Sequence, residues 1–407
     1  MKKLIGPFQI VTMDHLNEKG PIKDNQLEII NSGGVIIEDG LIVETGNFDI
    51  LSKRHSLEVE PLDEYSVLLP GMVDAHTHTC FAGSRANDYA LKIDGFSYQE
   101  ILSKGGGIYD TVNKTRNASE KTLFNLTKDR INNLFNSGVT TLEIKSGYGL
   151  SLKDELKMLE VISDLSKQSI ADIIPTCLAA HVKPVEFDTN AEYLSFLTAE
   201  LLPKVKQRNL SRRVDIFIEK NAFQTEESLE YLKKAKKLGF DITVHADQFT
   251  TGGSQVAIEV NARSADHLEV SSKKEIKSLA NSNTVATVLP GASLGLGIPF
   301  APARKLLDAG CCLAIASDYN PGSAPMGDLL VQAAMLSIYQ KLSFAETYAG
   351  ISFRAAKALG LNNRGKIAAG QNADLVSFPT NDYREILYNQ GQLKPSIVWK
   401  KGGKYTP

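Results

Sequence analysis

Two histidines two residues apart, in Val73-Asp74-Ala75-His76-Thr77-His78, close an apolar run that reads as a β-strand. Alternate side chains of a strand share a face, so His76 and His78 would present two imidazoles to one point. Imidazole suits Zn²⁺ and Fe, and a catalytic ion takes about three or four protein ligands with one position left open. Two ordinary strand histidines would give the same local pattern. The metal reading gains from its surroundings: five of the seven histidines, His76, His78, His181, His245 and His267, stand where an apolar run ends. Other polar groups end runs of the same kind, in Lys145-Ser146-Gly147-Tyr148-Gly149, His245-Ala246-Asp247-Gln248, Asp266-His267 and Ser317-Asp318-Tyr319-Asn320-Pro321-Gly322. Any one of them could be a cap or a packed residue, but packing does not explain six strand ends of this type. His15 and His55 fall outside the set and receive no role.

The elements that must carry these groups alternate between two periods. Candidate strands are 67–74, 139–145, 173–180, 214–219, 241–245, 264–267, 284–289 and 313–317. Helical patterns lie between them, such as 152–165 and 226–238, the second ending in a Lys-rich turn before Gly239. Eight β–α alternations fit an α/β fold of the (β/α)₈ TIM-like barrel type, whose chemistry gathers at the C-terminal strand ends. A doubly wound sheet is the structural alternative, but it would not bring strands one, five and eight to one point. Both termini read differently. Residues 35–44 form two apolar runs around Asp39-Gly40, a hairpin signal. Short strand patterns recur at 365–367, 373–378 and 396–400. The expected organisation is a catalytic barrel over 67–363 and a small β-sandwich domain assembled from 1–66 and 364–407.

With these motifs in place, the chain resembles the amidohydrolase superfamily. The broad marks are the His76-x-His78 pair, His245, Asp318 and the late Gly-x-Ile-x-x-Gly-x-x-Ala-Asp-Leu-Val stretch from Gly365 to Val376. Narrower marks are Phe81-Ala82-Gly83-Ser84-Arg85, Lys145-Ser146-Gly147-Tyr148-Gly149-Leu150, His245-Ala246-Asp247-Gln248, Ser264-Ala265-Asp266-His267-Leu268-Glu269 and Ser317-Asp318-Tyr319-Asn320-Pro321-Gly322. These resemble the branch that opens an imidazolone ring in L-histidine breakdown, and the match covers nearly the whole chain. The resemblance implies hydrolysis of the cyclic amide of 4-imidazolone-5-propanoate to N-formimidoyl-L-glutamate. It also implies one Zn or Fe ion per subunit, a cytoplasmic location and a homodimer.

The residues fit that chemistry when each is taken alone. Cleaving a cyclic amide needs an activated water, a polarised carbonyl and a proton for the leaving nitrogen. His76, His78, His245 and Asp318 would hold an ion that acidifies water. Asp318 could move the proton, and His267 could hydrogen-bond the water or the developing oxyanion; a purely structural histidine is the alternative for His267. Arg85 matches the propanoate, because a guanidinium fork pairs with a carboxylate bidentately. Tyr148 and His181 can hydrogen-bond the ring or the product, and Gly147 and Gly149 permit close backbone approach. Asn320, Gly322 and Ser323 follow Asp318 in a turn and can contact the substrate. Gln248 stands where the family carries Glu or Gln; it can pair with the amide edge of the ring but cannot shuttle a proton. Asp247 is expected to be structural and Cys80 to be packing. Gly105-Gly106-Gly107 reads as a flexible loop over the site, without the strand–helix context of a phosphate loop.

Composition narrows the classes. The net charge of −2 gives no basic footprint for nucleic acid. No apolar run approaches a membrane span, and the apolar stretch after Met1-Lys2-Lys3 fails too soon for a signal peptide. Four cysteines, Cys80, Cys177, Cys311 and Cys312, form no C-x-x-C pair and fit reduced thiols. The nearest alternatives are another cyclic amidohydrolase or a deaminase, and a silent binding barrel. A binuclear site with a carbamylated lysine would call on Lys220, near the end of strand four.

Overall fold

The computed structural model describes residues 2–54, 57–62, 65–96, 100–101 and 104–407; His55 lies outside them. Strands β1 (Lys3–Val11), β2 (Ile29–Glu38), β3 (Leu41–Asn47), β4 (Glu58–Pro61) and β5 (Val67–Pro70) come first. The hairpin between β2 and β3 turns at Asp39-Gly40, where both residues have positive φ. The barrel strands follow: β6 (Met72–Asp74), β7 (Val139–Lys145), β8 (Asp172–Ala180), β9 (Arg213–Ile216), β10 (Asp241–Ala246), β11 (Ser264–His267), β12 (Val285–Val288) and β13 (Leu313–Ile315). They lie side by side in chain order, all parallel, with helices between them. The final strands β14 (Leu375–Phe378), β15 (Ile397–Lys400) and β16 (Gly403–Tyr405) return to the first sheet, whose order is β16-β15-β14-β5-β1-β2-β3 with β4 beside β1.

One expected strand is two. Residues 67–74 divide at Gly71: β5 pairs with β1 and β14, whereas β6 pairs with β7. A Cβ at Gly71 would lie 2.4 Å from Thr140 Oγ1, so the chain passes here only without a side chain. Hydropathy could not reveal the break, because both halves are fully buried. Strand four is also shorter than expected, with Phe217 and Ile218 in isolated bridges beyond β9.

The barrel closes through the residues that carry its chemistry. Asp318 N donates to His76 O at 3.0 Å and His78 N to Tyr319 O at 2.9 Å. One step below, the Asp74 carboxylate accepts from Ser317 N at 3.0 Å and Ser317 Oγ at 2.5 Å. Both barrel surfaces are buried, so period-two alternation separates two interiors rather than core from solvent. On β7, Leu142 and Ile144 join the large apolar core. Their alternates Glu143 and Lys145 meet Arg213, Asp215 and Asp266 inside the barrel, as a stack of ion pairs under the histidines.

The small sheet is fixed to the barrel floor by Lys400, which reaches Asp374 at 2.7 Å and Asp172 at 2.9 Å, while Arg364 reaches Asp172 at 2.5 Å. Its own core holds Ile5, Ile10, Val35, Leu68 and Leu375, with Trp399 fully buried edge-on to Phe8 at 5.9 Å.

Candidate active site

Strand ends six, ten and thirteen bring His76, His78, His245 and Asp318 together. His78 Nε2 lies 3.2 Å from His76 Nε2 and 3.3 Å from His245 Nε2. Asp318 Oδ1 is 3.5 Å from His76 Nε2 and 3.3 Å from His78 Nε2. Ligand atoms bound tetrahedrally to one zinc stand about 3.4 Å apart, given bonds of about 2.1 Å. The spacing therefore fits an ion.

The chemistry of the donors fits as well. His76 Nδ1 is 2.7 Å from Asp266 Oδ2, and His245 Nδ1 is 2.9 Å from Asp215 Oδ2. Each carboxylate fixes the proton on Nδ1 and turns an Nε2 lone pair to the centre. His76 and His245 thus turn Nε2 lone pairs toward His78 Nε2 at 3.2–3.3 Å, with the Asp318 carboxylate oxygen beside them, a donor set that suits a cation at this point. Burial holds the His76 and His78 imidazoles well below their ordinary pKa, which keeps them neutral and able to ligate. His245 is lowered to about 4 by burial, against the pull of Asp215. Burial pushes the Asp266 carboxyl up to about 7, with Lys145 opposing. Among the described residues the ligand-capable groupings are His76, His245 and His267, and His76, His78 and Asp318, which share His76. Lys220 is exposed and takes no part.

Lys145 is the buried lysine that matters here. Its ammonium lies 2.6 Å from Glu143, 2.8 Å from Asp215 and 4.0 Å from Asp266. One cation thus holds both carboxylates that orient His76 and His245. Burial disfavours its charge, but Asp215 and Glu143 outweigh that and raise its pKa.

His267 approaches from β11 with φ +84°, and Asp318 sits at φ +52°. Non-glycine residues held in this region carry strain of order 1–3 kcal/mol each and cluster at functional sites. His267 Nδ1 is 3.4 Å from Glu269. Burial opposes its charge, yet Glu269, Asp318 and Asp266 outweigh burial and raise its pKa, so this imidazole holds a proton more readily than its neighbours. Burial raises the Asp318 carboxyl, while Asn320 Nδ2 at 2.8 Å and Ser323 Oγ at 3.2 Å donate to its Oδ2.

A cavity of about 560 Å³ opens above this cluster. Its walls hold His78, His245, His267 and Asp318 together with Arg85, Tyr148, His181, Gln248, Asn320, Gly322 and Ser323. His181 stacks on His78 at 5.3 Å and its Nδ1 meets Gly147 O at 3.1 Å. Burial raises the Tyr148 phenol, which stays a donor. Gln248 is held from both sides. Before it, Asp247 accepts from Gly252 N, Ser254 and Ser271, the structural role expected of it. After it, Glu219 accepts from Phe249 N at 2.9 Å and Thr250 N at 3.1 Å.

The glycines serve the protein's own backbone. A Cβ on Gly147, at φ +111°, would stand 2.8 Å from Leu178 O, and one on Gly149 would stand 2.5 Å from Glu155 N. The buried Glu155 carboxylate accepts from the backbone of Gly147, Gly149 and Leu150 and so shapes the loop that presents Tyr148. Gly107 N donates to Asp88 at 2.9 Å, and the same carboxylate pairs with Arg85 Nε. The glycine run at 105–107 therefore braces Arg85. Cys80 is buried and unpaired, as expected for packing.

Sequence reasoning missed Asp215, Glu155, Glu219 and Asp88. Asp215 left a signal, a carboxylate inside an apolar strand run.

The amidohydrolase family profile matches residues 67–404. The chain belongs to the amidohydrolase family. Within it, the chain falls among the imidazolonepropionases: it is 40% identical to the imidazolonepropionase of Bacillus cytotoxicus over 401 residues, 97% of this chain and 94% of that one. It is likewise 40% identical to the imidazolonepropionase of Bdellovibrio bacteriovorus over 389 residues, 94% of this chain and 91% of that one. The fold is shared with a zinc-bound adenosine deaminase from Xanthomonas campestris at 18% identity and TM-score 0.74, covering 99% and 92% of the two chains. It is also shared with a triazine hydrolase variant at 14% identity and TM-score 0.73, covering 100% and 94%.

Proposed function

We propose that this chain hydrolyses the cyclic amide of 4-imidazolone-5-propanoate to N-formimidoyl-L-glutamate, a step of L-histidine degradation. The observation that carries this reading is one cavity with His76, His78, His245 and Asp318 gathered at its base and the Arg85 guanidinium in its wall. The imidazolonepropionase relatives, matched over nearly their whole length, support the choice of substrate.

His76, His78, His245 and Asp318 would hold one zinc or iron ion per subunit. That ion would act as a Lewis acid on the scissile carbonyl and acidify water. Asp318 takes a proton from the attacking water as its oxygen bonds to the carbonyl carbon. His267 donates to the carbonyl oxygen as charge gathers there. When the C–N bond breaks, Asp318 returns the proton to the departing ring nitrogen. Tyr148 and His181 fix the plane of the ring, and Gln248 pairs with its amide edge without exchanging protons. Arg85 grips the propanoate; Asn320, Gly322 and Ser323 line the same end, where Asn320 and Ser323 also hold Asp318. The family resemblance extends the reading to a cytoplasmic homodimer. No helix among the described residues is long and apolar enough to cross a membrane.

The test is turnover of freshly made 4-imidazolone-5-propanoate by zinc- or iron-loaded protein, followed by loss of the ring absorbance. Turnover of hydantoin, dihydroorotate or an aminopurine in its place would overturn the reading. Light scattering tests the dimer.

A further inference from the structure

The cavity contains a second cation. Lys92 stands on the helix Ala86–Ile93, which starts at Arg85, so the two residues lie seven apart on one helical face. Arg85 has its Nε held by Asp88, which leaves the two terminal amino groups toward the cavity. A Cβ on Gly322 would lie 3.3 Å from Arg85 Nη1, and Lys92 Nζ lies 3.4 Å from Gly322 O. Both cations therefore flank Gly322. Among the described residues Lys92 makes no ion pair, and the Asp88 carboxylate, whose charge favours the Lys92 ammonium, is already taken by Arg85 and Gly107 N. Lys92 is half-buried, and burial together with Arg85 disfavours its charge. An ammonium drawn out of water, beside a second cation and with no ion-pair partner among the described residues, is arranged for an anion that arrives with the ligand. Ile101, Ile108 and Ile298 wall the same cavity and suit a short methylene chain.

We propose that Lys92 is a further substrate-binding residue that clamps the ligand's carboxylate together with Arg85. It would select rings bearing an acidic side chain over rings bearing a neutral one. The Arg85 fork fixes the carboxylate plane, and the Lys92 point charge closes the second side. The proposal rests on the functional reading above and deepens it.

The experiment compares wild type, Lys92→Met and Lys92→Arg, each zinc-loaded and checked by thermal melting. Two probes are titrated calorimetrically: 3-(imidazol-4-yl)propanoate, and 4-propylimidazole, which has the same ring but no charge. Lys92→Met should weaken the carboxylate probe by about tenfold or more, as expected for a lost charged hydrogen bond. It should leave the neutral probe within about twofold, and Lys92→Arg should restore much of the loss. On 4-imidazolone-5-propanoate the same variant should raise KM by a similar factor with kcat nearly unchanged. Equal loss for both probes, or no loss for either, overturns the clamp. If wild type does not turn over the imidazolone, the functional reading falls, and the contrast between the two probes still decides the role of Lys92.

Discussion

Asp215→Asn tests the reasoning behind the ion position most directly. Asp215 is fully buried. Its Oδ2 faces His245 Nδ1 at 2.9 Å and Lys145 Nζ at 2.8 Å. Its Oδ1 accepts from Ile216 N at 2.7 Å and His245 N at 3.2 Å. Asparagine has the same shape but only one accepting oxygen. If that oxygen keeps the two backbone donors, the new amide NH₂ faces His245 Nδ1 and the Lys145 ammonium. His245 then shifts its proton to Nε2, where it blocks ligation. Replacing an outer-shell partner typically lowers metal affinity 10–100-fold, or about 1.4–2.7 kcal/mol. Breaking a buried ion pair costs about 3–5 kcal/mol, and Lys145 should lose less because Glu143 remains at 2.6 Å. The assay is zinc titration of metal-free protein against a competing chelator, with thermal melting as a check on folding. A folded Asp215→Asn protein that binds zinc as tightly as wild type would refute the assignment of His245. Asp266→Asn should act similarly through His76, to which Asp266 stands at 2.7 Å.

Arg85→Lys should raise KM with little change in kcat, by about 1–3 kcal/mol as a fork becomes a point charge; unchanged kinetics for Arg85→Ala would remove it from the site. Gln248→Ala should lower kcat/KM without removing an acidic limb of the pH–rate profile, and loss of a titration that wild type shows would mean that this residue moves protons. Burial pushes the Asp172 carboxyl up, but Lys400 and Arg364 outweigh it and hold the folded pKa below its ordinary value. Its stabilisation is therefore complete above the unfolded pKa of about 3.9 and is lost as pH falls through the folded value. Asp172→Asn should be less stable than wild type to urea at pH 7, with the difference shrinking below about pH 4; a difference independent of pH would contradict this. Chelation should lower the melting temperature of wild type more than that of His78→Ala, because a bound ion stabilises the folded state and His78→Ala removes one of its ligands.

Much of the site was legible because strand ends and loop motifs are local. His76 and His78 lie past the end of β6, around the Thr77–Tyr319 bridge, and still face one point as the alternation of an extended chain predicts. The order of β–α units implied a barrel, and the barrel implied where His245, His267 and Asp318 would meet. The legible part stopped where function depends on contacts between distant segments. The division of 67–74 at Gly71 is invisible to hydropathy, since the residues on either side are equally buried in two different sheets. Gly147 and Gly149 are read from sequence as openings for a ligand, whereas they admit Leu178 and the first turn of the helix Leu152–Gln168. Lys92 has the pattern of a solvated helix charge and faces the cavity because its helix begins at Arg85.

By itself the sequence determined residue types, their spacing and the period of each element. Those settle which side chains can ligate, donate or pair, and which strand face each occupies. Only the tertiary structure decided which partner each polar atom meets. The proton on His76 rests with Asp266, 190 positions away, and that on His245 with Asp215, and both carboxylates are held by one lysine. In a buried, low-dielectric interior these pairings set which nitrogen keeps its proton and which charge survives. They are contacts between strands, fixed by barrel closure and register, and a linear order of residues carries them only through the fold.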